Sequence, residues 1–184
     1  AAYLAALSQA WETKDSLLVS WLKPVDDIPA FINCQYLFIR LPEVFYCSVT
    51  KNLITEWIDK ILSRKRVTVS GNKPLRLIGR HLLVQMTAAA ALKCLANPGF
   101  DRTYKLAANG ETSLFELVGF IHSTLARLLP NHNFAKLIFA EEEPVRLSEE
   151  FDTSFMENFN VILPGWRTGV EETIVAYLVH RKLF

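Results

Sequence analysis

Thr103-Tyr104-Lys105-Leu106-Ala107-Ala108-Asn109-Gly110-Glu111-Thr112-Ser113-Leu114-Phe115-Glu116-Leu117-Val118 reads as a short strand, a turn and the start of a helix. Thr103–Leu106 alternates in the manner of a strand, and Asn109-Gly110 closes it. Ser113 and Glu116 have the spacing of a capping box, in which each side chain satisfies an orphan backbone donor of the other residue. The helix this opens runs over Ser113–Leu129. Its core stripe is Leu114, Leu117, Val118, Ile121, Leu125, Leu128 and Leu129, and Pro130-Asn131 stops it.

The same alternation continues upstream. Val84–Ala96 is an alanine-rich helix stopped by Asn97-Pro98-Gly99. Leu75–Ile78 and Arg66–Ser70 read as strands, the second ended by Gly71-Asn72. Leu53–Leu62 is a helix with Ile54, Trp57, Ile58 and Ile61 on one stripe, although residues 25–66 as a whole carry no clear pattern. Ser16–Leu22 looks like a buried strand stopped at Lys23-Pro24, and Tyr3–Trp11 has helical periodicity. Downstream, residues 141–160 are acidic, and Thr168–Arg181 forms a closing helix. Glu171 and Glu172 lie near its start and His180 and Arg181 near its end, as the helix dipole favours. Strands alternating with helices place the chain in the α/β class.

Composition narrows the function. Hydrophobic residues make up 51% of the 184, and charged residues 21%. Either the core is large or a partner covers part of the surface. Net charge is +1, which disfavours nucleic acid as the main partner. The balance conceals an asymmetry: residues 1–110 hold 14 Lys+Arg against 8 Asp+Glu, and residues 111–184 hold 6 against 11. Cys34, Cys47 and Cys94 are odd in number and unspaced for a metal or redox pair, so free thiols are expected, with one disulfide still open. No apolar run reaches the length of a membrane span. The chain begins Ala-Ala-Tyr without an initiator Met or a leader, which suggests a processed or internal start.

The order of motifs resembles the rear half of an extended short-chain dehydrogenase, a Rossmann-like fold. In that family a Tyr-x-x-x-Lys helix precedes a strand ending in Arg/Lys-Pro, which Ala2–Leu7 and Leu17–Pro24 resemble. Leu83–Ala91 resembles the family's V-D-V-A-x-A helix start, with Gln85 in place of the acid, and residues 103–118 resemble its strand-and-helix unit. Leu163-Pro164-Gly165 and the segment from Thr168 to Lys182 are similar to the tail of one branch, the accessory subunit of mitochondrial respiratory complex I. Two domains are expected: residues 1–110, the rear of a Rossmann-like sheet and helices with an inserted region, and residues 111–184, a mostly helical substrate-domain-like region; residues 31–66 scarcely match the family.

The resemblance also shows what is missing. No G-x-x-G-x-x-G occurs, and the seven glycines are scattered. The backbone cradle that holds a dinucleotide pyrophosphate is therefore not in this sequence, and a nucleotide-binding half would have to be supplied from elsewhere. Tyr3 matches the family's acid/base tyrosine, but Leu7 stands where its lysine belongs. Without a nearby cation a phenol near pKa 10 stays protonated at neutral pH and is a poor base. No catalytic residue is therefore expected. Pro24 and Val25 match the segment that lines the nicotinamide. No cofactor is expected within the chain, and NADP(H) is expected only if a nucleotide-binding half is present.

Other groups carry weaker signals. Lys60, Arg64, Lys65 and Arg66 form a basic cluster with no interleaved aromatic residues, as a solvated helix end would. His81, His122, His132 and His180 lack metal-ligand spacing. Tyr46, Cys47 and Ser48 lie together without an identifiable base, and Glu141–Glu143 reads as a solvated loop.

The expectation is a non-catalytic accessory subunit of complex I in the respiratory electron-transport chain. It would sit on the matrix side of the mitochondrial inner membrane, peripheral to it, among the subunits of a large complex. Two alternatives stay open: an NAD(P)-dependent epimerase- or dehydratase-type enzyme whose nucleotide-binding half lies on another chain, and an adaptor of another mitochondrial assembly such as the ribosome or ATP synthase.

Overall fold

A computed structural model describes residues 37–42, 44–47, 50–63, 65–71, 74–96, 102–140 and 153–183. The expected elements at Tyr3–Trp11 and Ser16–Leu22 lie outside them, as do Asn97-Pro98-Gly99 and most of the acidic segment. The fold is mixed α/β with parallel strand pairs, as the alternation of elements predicts.

The chain enters through β1 (Leu37–Arg40) and β2 (Val44–Tyr46), both within the stretch where the sequence has no clear period. Helix α1 follows at Leu53–Ser63. Its start is set by Asn52, whose Oδ1 accepts from the backbone N–H groups of Ile54 and Thr55 at 2.9 and 3.2 Å. The Asn52 amide donates back to the carbonyls of Cys47 and Thr50, tying the end of β2 to the helix. Ile54, Trp57, Ile58 and Ile61 are buried as the stripe requires, each contributing about 1.5–3 kcal/mol of apolar burial.

Next come β3 (Arg66–Val69), β4 (Pro74–Leu75) and β5 (Leu77–Gly79). The single strand expected at Leu75–Ile78 is two segments with different partners. β4 runs antiparallel to β7 (Thr112–Ser113), and β5 runs parallel to β2 with Tyr46 opposite Gly79. Arg76 sits between them with its guanidinium 2.7 Å from Glu111. Strand β5 passes straight into α2 (Arg80–Ala96), which begins one turn earlier than its sequence suggests because no capping residue marks the junction. β6 (Arg102–Lys105) pairs in parallel with β1, and β8 (Lys136–Phe139) with β3.

Helix α3 spans Leu114–Leu128. Ser113 is its cap, with Oγ accepting from the Glu116 N–H at 3.1 Å. The Glu116 side chain does not complete a reciprocal box; its carboxylate takes the Thr112 hydroxyl at 3.1 Å and the Arg167 guanidinium. Helices α1, α3 and α5 (Trp166–His180) pack on one another around one core. A second cluster joins α2, β6 and α4 (Ser154–Phe159), where Phe155 and Phe159 meet the Tyr104 ring edge-on.

The loop after β6 positions the ends of these elements. Leu106 N–H donates to the Arg40 carbonyl, Ala108 N–H to the Leu77 carbonyl, and Asn109 N–H to the Pro164 carbonyl. Trp166 N–H returns a bond to the Asn109 carbonyl. Gly110 then turns with φ +87°, a left-handed conformation that glycine adopts without strain. Residues 106–110 thus hold the start of α5 against the carboxyl end of β5.

Candidate functional site

In parallel α/β sheets, ligands bind beyond the carboxyl ends of the strands. At the ends of β2 and β5 lies a hollow of about 330 Å³. Tyr46 and Cys47 form its floor. Arg80, His81 and Gln85 line it from the start of α2, and Gly165, Thr168, Gly169 and Glu172 from the start of α5.

Tyr46 is held between two glycines. A β-carbon at Gly79 would stand 2.9 Å from the ring, and one at Gly169 would stand 2.5 Å from the phenolic oxygen. Tyr46 is only 2% exposed, and what remains of its surface faces the hollow. Burial first, then the Glu172 carboxylate, pushes its pKa far above 10. At neutral pH this phenol is a hydrogen-bond donor and not a base.

The two helices supply opposite charges. Arg80 lies at the start of α2, whose first turn contains no acidic residue. Glu172 lies one turn further along α5 than Thr168. Neither Arg80 nor Glu172 has an ion-pair partner among the described residues. Gln85 approaches His81, with Nε2 to Nε2 at 3.3 Å, so a Gln85 N–H donates to the ring nitrogen in the tautomer protonated at Nδ1. The hollow therefore offers donors on the α2 side and floor, and a carboxylate acceptor on α5.

Tyr3, Leu7, Pro24 and Val25 lie outside the described residues, as do Cys34, Ser48, Arg64 and Glu141–Glu143. Gln85, singled out only as a replaced acid, lines the hollow, and so do Tyr46 and Cys47. His81 joins them. His122 and His132 instead pack on the Phe134 ring at 5.7 and 5.1 Å. Lys60 lies over the Trp57 ring at 4.4 Å, as a packed helix end would. No cluster of metal-ligating side chains occurs among the described residues, and no described helix is long and apolar enough to cross a membrane. Gly79, Gly169, Arg80 and Glu172 share no spacing that would mark them as a site, because their roles exist only where α2 and α5 converge on Tyr46.

No family model matches this chain, and no curated protein matches it. Solved structures do. The chain is similar in fold to UDP-glucose 4-epimerase with UDP-glucose from Thermotoga maritima, with TM-score 0.57 and 12% identity over 87% of this chain and 50% of that one. It is similar to ADP-L-glycero-D-manno-heptose-6-epimerase of Helicobacter pylori, with TM-score 0.58 and 13% identity over 86% and 48%. A dTDP-4-dehydrorhamnose reductase of Bacillus anthracis, solved in complex with NADP, gives TM-score 0.56 and 16% identity over 82% and 51%. The mixed α/β fold resembles part of a short-chain-dehydrogenase-like Rossmann fold, and the chain spans about half the length of these structures. The similarity is to epimerases and reductases.

Proposed function

We propose that this chain is the substrate-side part of a short-chain-dehydrogenase-like protein, a binding module that is not catalytic by itself. The observation that carries this reading is the hollow at the ends of β2 and β5. It is lined by polar groups, yet its buried phenol is a donor that cannot act as a base at neutral pH. Half-length similarity to NAD(P)-type epimerases and reductases, without a Gly-rich turn, supports a nucleotide-binding half supplied from outside this sequence. In such a pairing, this half would hold and orient the substrate while the other held the dinucleotide. NADP(H) would then belong to the pair and not to this chain.

The test is nucleotide content. The native protein, purified with whatever carries the nucleotide-binding half, should release NAD(P) on denaturation, whereas residues 1–184 alone should retain none. Native material without nucleotide counts against the reading.

A second reading is an accessory role in a large mitochondrial assembly, complex I first among them, peripheral to the matrix side of the inner membrane. One observation favours a covering partner: Val84 and Leu92 on α2 are 59% and 69% exposed, and Ile162 is 91% exposed. The complex I assignment itself rests on the sequence resemblance, including Leu7. Native electrophoresis of solubilised mitochondria tests it, since co-migration with a respiratory complex is required.

A further inference from the structure

We propose that the open edge of β8 is a docking site for an extended protein segment that alternates apolar and acidic residues and adds to β3 and β8 as a third strand. None of the residues involved lines the hollow.

The edge follows from the register. Strands β3 and β8 form a two-stranded parallel sheet, and no other described strand pairs with either. Lys136 N–H donates to the Lys65 carbonyl and Ala140 N–H to the Val69 carbonyl. Along a strand, residues that bond to one neighbour alternate with residues that face the other way. Lys136, Ile138 and Ala140 therefore face β3, and the N–H and C=O groups of Leu137 and Phe139 point to the outer edge. Two strands alone are marginal in water, and parallel sheets are normally covered. A third strand completes what the described residues leave unfinished.

The side chains select the kind of strand. Cross-strand partners share a face, so Arg66, Thr68, Lys136 and Ile138 lie together on the outer face, and all four are exposed. Val67, Val69, Leu137 and Phe139 lie on the inner face. There Leu137 packs against the core, and the Phe139 ring lies 5.2 Å from that of Phe115 yet stays 43% exposed.

On the outer face Arg66 stands directly opposite Lys136, with exposed Lys65 beside them, and these like charges repel. None of the three forms an ion pair among the described residues. An incoming strand with period-two alternation sets its carboxylates beside Lys136 and Arg66 and its apolar side chains beside Leu137 and Phe139. A second copy of β8 is the poorer occupant. It brings another Lys136 and no carboxylate, and lysine on an edge strand guards against self-pairing.

Fluorescence anisotropy of the 184-residue chain with a labelled, end-blocked peptide alternating valine and glutamate tests this. The glutamate peptide should bind about tenfold more tightly than its valine–lysine counterpart, and salt at about 0.5 M should narrow the difference. Lys136→Glu should reverse the preference, whereas a merely structural lysine would weaken both peptides alike. Leu137→Pro removes a donor on the outer edge without touching the bonds to β3, and should abolish binding of both peptides. Because Leu137 also packs in the core, the edge is tested from the ligand side as well. Methylating one alternate set of the peptide's backbone nitrogens should abolish binding, and methylating the other set should leave it. The proposal is overturned if the two peptides bind alike, if neither binds, if both methylated peptides bind like the parent, or if Lys136→Glu keeps the glutamate preference. It is also overturned if sedimentation shows a dimer that Leu137→Pro dissolves, or if the chain ignores the peptide and binds phosphatidylserine vesicles.

Discussion

The hydroxyl of Tyr46 occupies the space that a side chain at Gly169 would need: a β-carbon there would stand 2.5 Å from the phenolic oxygen but 3.6 Å from the ring carbon that bears it. The contact joins β2 to the first turn of α5, and it makes a position inside a helix depend on a residue 123 places earlier in the sequence.

Gly169→Ala alone should destabilise the fold by about 1–3 kcal/mol, the usual cost of overpacking. In a Tyr46→Phe background the clash is gone, and the same change should be neutral or stabilising by up to about 1 kcal/mol, since alanine is the better helix former. Gly79→Ala meets the ring itself at 2.9 Å, so Tyr46→Phe should not rescue it. Urea titrations of the five variants form the double-mutant cycles. Equal costs for Gly169→Ala in both backgrounds would mean that the two residues do not touch.

Alkaline stability should depend on two tyrosines. Tyr46 holds its proton above the ordinary value of 10.0 through burial and then Glu172. Tyr177 does so through burial and then its bond to Asp59, with Arg181 opposing. Both folded values exceed the unfolded one, so the folded state binds more protons above pH 10. Stability is then constant with respect to these groups below pH 10 and falls as pH rises past it. Wild type should lose unfolding free energy between pH 9 and 11 more steeply than Tyr46→Phe, with Tyr177→Phe intermediate. Parallel slopes in all three proteins would rule this out.

Tyr177 also bridges α5 to α1, its hydroxyl donating to both Asp59 carboxylate oxygens at 3.0 and 2.9 Å. Asp59 is 45% exposed, so solvent screens the interaction. Tyr177→Phe should therefore cost only about 1 kcal/mol at pH 7 in thermal or chemical denaturation. A loss several times larger would show that the hydroxyl supports more than this pair.

Asn52 should matter more than its sequence context suggests. Asn52→Ala removes two acceptor and two donor contacts at the junction of β2 and α1, and should cost about 1–2 kcal/mol. Asn52→Asp keeps the capping oxygen and should cost less. If the two variants lose the same stability, the amide donors and not the cap hold this junction.

Where a helix or strand could be seen in the sequence, local physics was enough. The α3 stripe and the Ser113 cap lie within one helix, so their spacing alone predicts burial: Leu117, Val118, Ile121 and Leu125 are buried, and Leu114, Leu128 and Leu129, at the two ends, are partly so. The α1 stripe succeeds for the same reason. β1 and β2 were missed because each is only three or four residues long, and their partners β6 and β5 lie more than thirty residues away. The start of α2 was missed because Gly79 passes from strand to helix without a capping side chain.

From the sequence alone came the α/β class, the main helices, the absence of a Gly-rich nucleotide cradle and the low net charge. Each follows from residue type and spacing over one or two turns of chain, where side-chain chemistry acts locally. The tertiary structure supplied the candidate site. Tyr46, Gly79, Arg80, Gly169 and Glu172 have no common spacing, and it is only the parallel pairing of β2 with β5, and the bonds from Asn109 to the start of α5, that bring them to one hollow. A phenol becomes buried, and two glycines come to be sterically constrained by its ring and hydroxyl, only after distant elements have packed, because burial and steric exclusion are properties of the space between them.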